Sequence, residues 1–345
     1  MNHILRYCVR ANTRFSSAWR TFFRSATAIG FSALLISSLS GCSRKTSERK
    51  DADPGIKTSD QVQNISVQEL LPPLGKSTGK REAEVGTKAK NDYLYGTLAG
   101  QYKRMPLAIE NLKKALAAEP KFIDAHHNLG LAYYKIGKID EAIREWKTTL
   151  RLDPGYAETY YNLAIFLMDQ HRIDDGIKLL NRCIEVEPYH LKARFALGKI
   201  HQQRGNYPEA IRHFRAYQHE DRGDLRVLLA LGDLYLLSGQ AEASMKEFES
   251  ATRIDDHNAL VHYQLGIAYQ RGKRFNEAIT QYKRAVELSP EYTDAYVNMG
   301  DIYAARKEYA SALSSYNAAL GVNSSNPYVA KKAAEMEKLL VKREP

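Results

Sequence analysis

The sequence is short of most things that a disulfide-stapled domain or a common hydrolase would need. Its 345 residues hold three cysteines, Cys8, Cys42 and Cys183, too scattered for a disulfide framework, and none is paired at Cys-x-x-Cys spacing for zinc or redox work. There is no Gly-rich phosphate loop and no His-Glu-x-x-His, so the familiar signatures for cradling phosphate or holding catalytic zinc are missing. Residues 1–41 carry no acidic side chain, and residues 25–40 carry no charge at all, yet that uncharged stretch is shorter than the roughly twenty residues of a spanning helix. A net charge of +10 invites a nucleic-acid reading, but the charge is unevenly placed. Residues 1–41 hold five Arg, and residues 42–88 hold nine basic against seven acidic groups. Residues 89–326 hold 31 against 30, and 327–345 five against three. A nucleic-acid binder concentrates Lys and Arg on its folded part. This folded part is close to neutral, so no nucleic-acid partner is expected.

What is present begins with an address. Arg6, Arg10, Arg14, Arg20 and Arg24 precede the uncharged run SATAIGFSALLISSLS, the order in which a secretory signal keeps its charges in the cytoplasm while the apolar run enters the bilayer. Leu39-Ser40-Gly41-Cys42 then resembles the lipobox of bacterial lipoproteins, with small residues before a cysteine. The resemblance implies cleavage of a signal peptide, residues 1–41, and lipidation of Cys42; two or three acyl chains there suffice as a stable anchor. An uncleaved anchor is the competing reading, given the long basic region. Ser43 stands where an Asp would favour inner-membrane retention, so the resemblance leans to a periplasm-facing protein of the bacterial outer membrane. Residues 42–88 are polar, with Pro54, Pro72 and Pro73, and read as a flexible tether reaching on the order of 35–40 Å. The one short apolar run, Val67 to Leu71, could instead form a short helix on the first repeat.

From residue 89 the chain repeats every 34 residues without insertion. The eighth places are Gly96, Gly130, Ala164, Gly198, Gly232, Gly266 and Gly300, and the twentieth are Ala108, Ala142, Gly176, Ala210, Ser244, Ala278 and Ala312. The twenty-fourth are bulky: Leu112, Trp146, Leu180, Phe214, Phe248, Tyr282 and Tyr316. Small residues let two helices of a hairpin approach, and large ones fill the space beside that approach. Pro120, Pro154, Pro188 and Pro290 close units by stopping the second helix. Units four and five depart, with Arg222 and Asp256 in place of proline, His201 for an aromatic and Tyr217 for an alanine.

These places resemble the tetratricopeptide repeat in all seven units, 89–122, 123–156, 157–190, 191–224, 225–258, 259–292 and 293–326. The resemblance implies an all-α fold, a right-handed superhelical solenoid of helical hairpins, with residues 327–345 as a polar capping helix. It also implies a concave groove lined by the first helix of each unit. In the fifth and sixth places of that groove stand Tyr93, His127, Asn128, Tyr161, Asn162, Phe195, Tyr263, Gln264 and Asn298. Amides one repeat apart can bond the backbone of an extended peptide, beside aromatics that supply contact area. Ala196 and Ala230 interrupt the amide ladder and divide the groove into halves. Such Tyr and Asn residues are also common in the family for packing alone. The Lys, Asn and Arg set that clamps a chaperone's C-terminal carboxylate is absent from consecutive units.

Elsewhere, His126 and His262 in the fourth place are expected to pack rather than bind metal, His213 and His219 to face solvent, and Cys183 to be a small buried hydrophobe. No enzyme activity, cofactor, metal or small-molecule substrate is expected. The layout resembles lipid-anchored tetratricopeptide pilotins of type IV pilus secretins, although those have fewer repeats and shorter tethers. It implies a membrane-anchored scaffold that binds extended or helical segments of a partner protein during assembly of an envelope machine. The alternative is an accessory subunit of an exopolysaccharide or cell-wall synthase.

Overall fold

A computed structural model describes residues 65–341. The signal segment, Cys42 and the first part of the expected tether lie outside the described residues. Within them are fifteen α-helices and no strand, only one isolated bridge between Lys80 and Phe122. No described helix is long and apolar enough to cross a membrane.

The chain falls into two compact units, one containing Lys76–Asp153 and the other Ser66–Gly75 with Pro154 onward. In the first unit, α1 (Thr87–Gln101) pairs with α2 (Met105–Ala118), and α3 (Ile123–Lys135) with α4 (Ile139–Leu152); α2 also packs on α3. In the second, five hairpins follow: α5 (Ala157–Asp169) with α6 (Ile173–Val186), α7 (Leu191–Gln203) with α8 (Tyr207–Glu220), α9 (Leu225–Leu237) with α10 (Ala241–Ile254), α11 (Ala259–Arg271) with α12 (Phe275–Leu288), and α13 (Thr293–Ala305) with α14 (Tyr309–Val322). Within the second unit the second helix of each hairpin packs on the first helix of the next, and α15 (Pro327–Val341) closes the stack on α14. From α3 on, first helices start every 34 residues, at 123, 157, 191, 225, 259 and 293.

The small eighth place has a specific cause. A Cβ added to Gly232 would lie 2.5 Å from the Phe248 ring, and one added to Gly266 would lie 2.5 Å from Tyr282. Gly130 stands likewise under Trp146, at 2.6 Å. Each ring of the twenty-fourth place is therefore laid across bare backbone of its own hairpin partner, a contact any side chain would prevent. In the third hairpin the glycine has changed helix: Ala164 holds the eighth place, and Gly176, in the twentieth, accepts Met168, whose Cγ would be 2.6 Å from a Cβ there. The turn within every hairpin holds one residue at positive φ, Gly137, Gly205 and Gly239 but also Lys103, His171, Lys273 and Lys307 near 60°. These seven are all fifteenth places.

Residues 65–86 differ from the flexible tether expected of their composition. In the second unit, Val67–Leu70 forms a 3-10 turn whose Val67 and Leu70 are buried, and it packs on α6 rather than on the first hairpin. In the first unit, Thr78 N donates to the Leu152 carbonyl (2.6 Å), Lys80 N to Lys121 (2.8 Å), and Ile123 N to the Lys80 carbonyl (3.0 Å). Lys80 pairs with Glu119 at 2.6 Å, and Arg81 reaches both Asp124 and Asp153. Gly79 lies against Ile123 so closely that a Cβ would stand 2.5 Å from its side chain. Backbone pairing and three buried apolar side chains, Ile65, Val67 and Leu70, order a segment whose overall polarity suggested none.

Candidate functional site

The fourth place of the first helices makes a recurring clasp. His126 Nε2 meets the Pro120 carbonyl (3.0 Å), Tyr160 Oη donates to Pro154 (2.9 Å), Arg194 Nε to Pro188 (2.8 Å), and His262 Nε2 meets Asp256 (3.0 Å). Each ties a helix start to a carbonyl six residues back, in the loop that ends the preceding unit. The other ring nitrogens of His126 and His262 are taken by Glu145 (2.6 Å) and Gln281 (2.8 Å). Both histidines are thus committed to packing, and no group of three metal-capable side chains occurs among the described residues. Cys183 is buried, which pushes its thiol pKa far up and leaves it without a thiolate. A Gly-x-Ser-x-Gly spacing, expected to be absent, does occur at Gly75-Lys76-Ser77-Thr78-Gly79. It lies in extended chain, where Ser77 Oγ donates to the Leu152 carbonyl (3.4 Å), not at a strand-to-helix elbow that would expose the hydroxyl.

In the first unit, Asn128 Nδ2 donates to Tyr93 Oη and to Thr97 Oγ1, both at 3.1 Å. Tyr93 in turn packs on Phe122, with ring centroids 4.8 Å apart, and burial pushes its pKa up to about 12. His127 is buried, its backbone carbonyl accepting from Trp146 Nε1 (3.2 Å). The three expected groove residues here are therefore largely engaged with one another and with the hairpin core. The Asn128 amide still has its carbonyl oxygen to offer.

In the second unit the fifth-place rings also turn to packing. Tyr161 lies 5.4 Å from His190, Tyr263 4.8 Å from Tyr292, and Phe195 5.7 Å from Phe214. Tyr161 and Asn162 are both buried. The sixth-place amides of the last two hairpins reach back one hairpin: Gln264 Nε2 donates to Asp233 Oδ1 (2.7 Å) and Asn298 Nδ2 to Tyr282 Oη (3.3 Å). Because Asp233 accepts, the Gln264 amide is fixed with its oxygen facing the other way.

The ninth place, which the family resemblance also puts along the groove, fills the break in the ladder. Where Ala196 and Ala230 remove the sixth-place amide, Lys199 and Asp233 stand one turn further along α7 and α9. Burial raises the Asp233 carboxyl to about 6 against a lowering by Lys199, and burial holds the Lys199 amine below its ordinary value. Two desolvated groups of opposite charge on neighbouring first helices mark the polar centre of this unit. Charged residues at the ninth place of the fourth, fifth and seventh units, Lys199, Asp233 and Asp301, could have shown it from the sequence.

His213 corrects a second expectation. It is 1 % exposed rather than solvent-facing, stacked on His201 at 5.5 Å, with Arg194 and Arg212 nitrogens 3.4 and 3.3 Å from its ring nitrogens. Burial first, then Arg212 and Arg194, press its pKa down to about 4. His219 does face solvent, stacked on Tyr189 at 5.7 Å. The missing closing prolines are replaced by side-chain turns: Asp221 Oδ1 accepts from Gly223 N (3.0 Å) and Asp255 Oδ1 from His257 N (3.3 Å). Asp224 and Asn258 then cap α9 and α11, and Tyr217 Oη donates to Asp224 at 2.7 Å.

Comparison with known proteins agrees with this geometry. Family models described as TPR repeat or tetratricopeptide repeat match residues 101–137, 132–171, 155–218, 201–266, 271–306 and 293–326. No curated protein matches in sequence. Among solved structures, the C-terminal part of a TPR repeat-containing protein from Cytophaga hutchinsonii is 15% identical, with a TM-score of 0.55, over 70% of this chain and 98% of that one. YrrB, described as a TPR protein with an unusual peptide-binding site, is 18% identical, with a TM-score of 0.50, over 56% of this chain and 97% of that one. Those identities speak to the fold alone. With its glycine-to-ring hairpins in register and repeat models matched from residue 101 to 326, the chain belongs to the tetratricopeptide repeat family.

Proposed function

We propose that the chain is a membrane-anchored scaffold that holds an extended or helical segment of a partner protein along the first helices of its hairpins, during assembly of an envelope machine. The observation that carries the groove reading is the line of half-buried polar side chains on successive first helices, Lys199, Asp233, Gln264 and Asn298. A desolvated carboxyl gains from any donor that reaches it. Asp233 therefore favours a segment that presents a backbone N–H or a basic side chain there, while the outward oxygens of Gln264 and Asn298 accept main-chain amides. YrrB, by its description a peptide binder of the same fold, is consistent with this use. The membrane part rests on the lipobox-like Leu39-Ser40-Gly41-Cys42, and the assembly role rests on layout alone.

Replacing Gln264→Ala together with Asn298→Ala abolishes partner capture with circular dichroism unchanged; undiminished capture by that double variant refutes the groove. Asp233→Asn weakens capture of a basic segment, and the wild-type interaction strengthens as pH rises through about 6, where Asp233 gains its charge. Palmitate labelling of growing cells marks the wild type and not Cys42→Ala. Equal labelling of both removes the lipid anchor from the account.

A further inference from the structure

The first hairpin has an apolar face that every later hairpin buries. In the seventh place of first helices, Leu129, Leu197, Leu231, Leu265 and Met299 are between 0 and 5 % exposed, whereas Tyr95 is 65 % exposed. In the tenth place, Leu98 is 48 % exposed, where Leu234 and Ala268 are 0 %. Tyr102, one turn on, is 72 % exposed, and Leu107 of α2 extends the same surface at 43 %. Together with Arg104 and Asn111 these side chains line a groove of about 450 Å³.

The later hairpins show what shape covers such a face. Leu231 and Leu234 cluster with Ala210, Phe214 and Tyr217 of α8, and Met299 and Ile302 with Ala278, Tyr282 and Ala285 of α12. The cover is an amphipathic helix running beside α1, in the place of a preceding hairpin's second helix. Nothing in residues 43–64 can supply it, because SRKTSERKDADPGIKTSDQVQN has two large apolar side chains, Ile56 and Val62, and no helical stripe.

The rim selects among other occupants by charge. Arg104 lines the groove, Lys103 sits in the adjoining turn, and Lys88 lies two turns before Tyr95 on α1; none of the three is in an ion pair among the described residues. The acids on this side are Glu110, paired with Lys114 at 2.7 Å, and Asp92, whose charge also acts on Lys114, which leaves the rim net basic. Lys135 is held below its ordinary value by burial and by Lys103, so cations crowd this corner. A second copy docking face to face would bring an equally basic rim against this one and be repelled. We infer that the exposed face of the first hairpin docks an acidic amphipathic helix of another protein, which completes the stack at its N-terminal end. This site is separate from the groove along the first helices and does not depend on it.

The test uses the full chain and a stapled, fluorescein-labelled 14-residue peptide with the sequence of Phe275–Leu288, the helix that covers Met299. An acidic version carries Lys283→Glu and Arg284→Glu, and a basic version Glu277→Lys and Glu287→Lys. By anisotropy the acidic peptide binds about tenfold more tightly than the basic one, and Leu98→Asp in the chain weakens it about tenfold or more. Thermal unfolding of Leu98→Asp is unchanged, since the side chain it replaces is exposed, and Asp233→Asn leaves peptide binding as it was. Absence of binding by both peptides, equal binding of the two, or indifference to Leu98→Asp overturns the proposal. So does sedimentation showing a dimer of the full chain that Leu98→Asp dissociates, which would give the face to a second copy.

Discussion

Three glycines of this chain look alike in sequence and do different things. Gly232 is bare because Phe248 occupies the space, Gly205 because its backbone sits at φ 72°, and Gly321 meets nothing within 4 Å. Gly232→Ala is expected to cost about 1–3 kcal/mol through overpacking, despite a helix-propensity gain of about 1 kcal/mol. Gly205→Ala costs about 1–2 kcal/mol through the left-handed backbone, and Gly321→Ala stabilises by up to about 1 kcal/mol. Urea unfolding of the three variants checks the order. The role of Gly232 could be read from its place beside a bulky twenty-fourth residue. That of Gly205 was hidden, because the fifteenth place is glycine in only three hairpins and the turn imposes its backbone on Lys and His in the others. His213 was also misread, since a histidine among charged neighbours in α8 gives no sign that His201 will stack on it. Its folded pKa of about 4 lies below the unfolded 6.5. The unfolded chain therefore takes up the proton first, so this contribution to stability is present above pH 6.5 and is lost as pH falls toward 4. Arg212, Arg194 and His201 press in that direction and Glu209 opposes them. His213→Leu, which copies Leu179 at the same place, flattens the fall in melting temperature between those pH values.

At the scale of elements, helices and their 34-residue spacing were legible because small and large residues recur in fixed places, and each hairpin repeats one physical solution. The segment before α1 was not, because its order comes from main-chain bonds that leave no compositional mark. Lys80 contributes both its amide and its carbonyl to the loop at Lys121 and Ile123, and only the absence of a side chain at Gly79 allows that approach. Gly79→Val is expected to release the segment, seen as faster hydrogen exchange at the Lys80 and Ile123 amides with α3 and α4 still protected. Slow exchange at both amides in the variant would show that the pairing does not depend on the glycine. Fifth-place rings proved to be packing against the thirty-fourth place, as Tyr93 on Phe122 and Tyr263 on Tyr292 show. The ninth place adds the half-buried Lys199 and Asp233 to the sixth-place amides.

For the whole molecule, repeats of balanced charge fit the proposed groove, in which a partner segment is held through shape and hydrogen bonds rather than through a strong electrostatic field. Raising salt from 0.05 to 0.5 M, conditions chosen to span about a threefold change in screening length, should therefore alter partner capture by the groove only slightly. The most direct test of the groove is site-specific photo-crosslinking of the full chain in cells. A benzophenone side chain at Ile267, on α11 beside Gln264, is predicted to give one discrete adduct that disappears with Gln264→Ala and Asn298→Ala, while the same group at exposed Lys246 on α10 gives none. An adduct formed from Lys246 and not from Ile267, or one from Ile267 that survives both substitutions, would contradict the account.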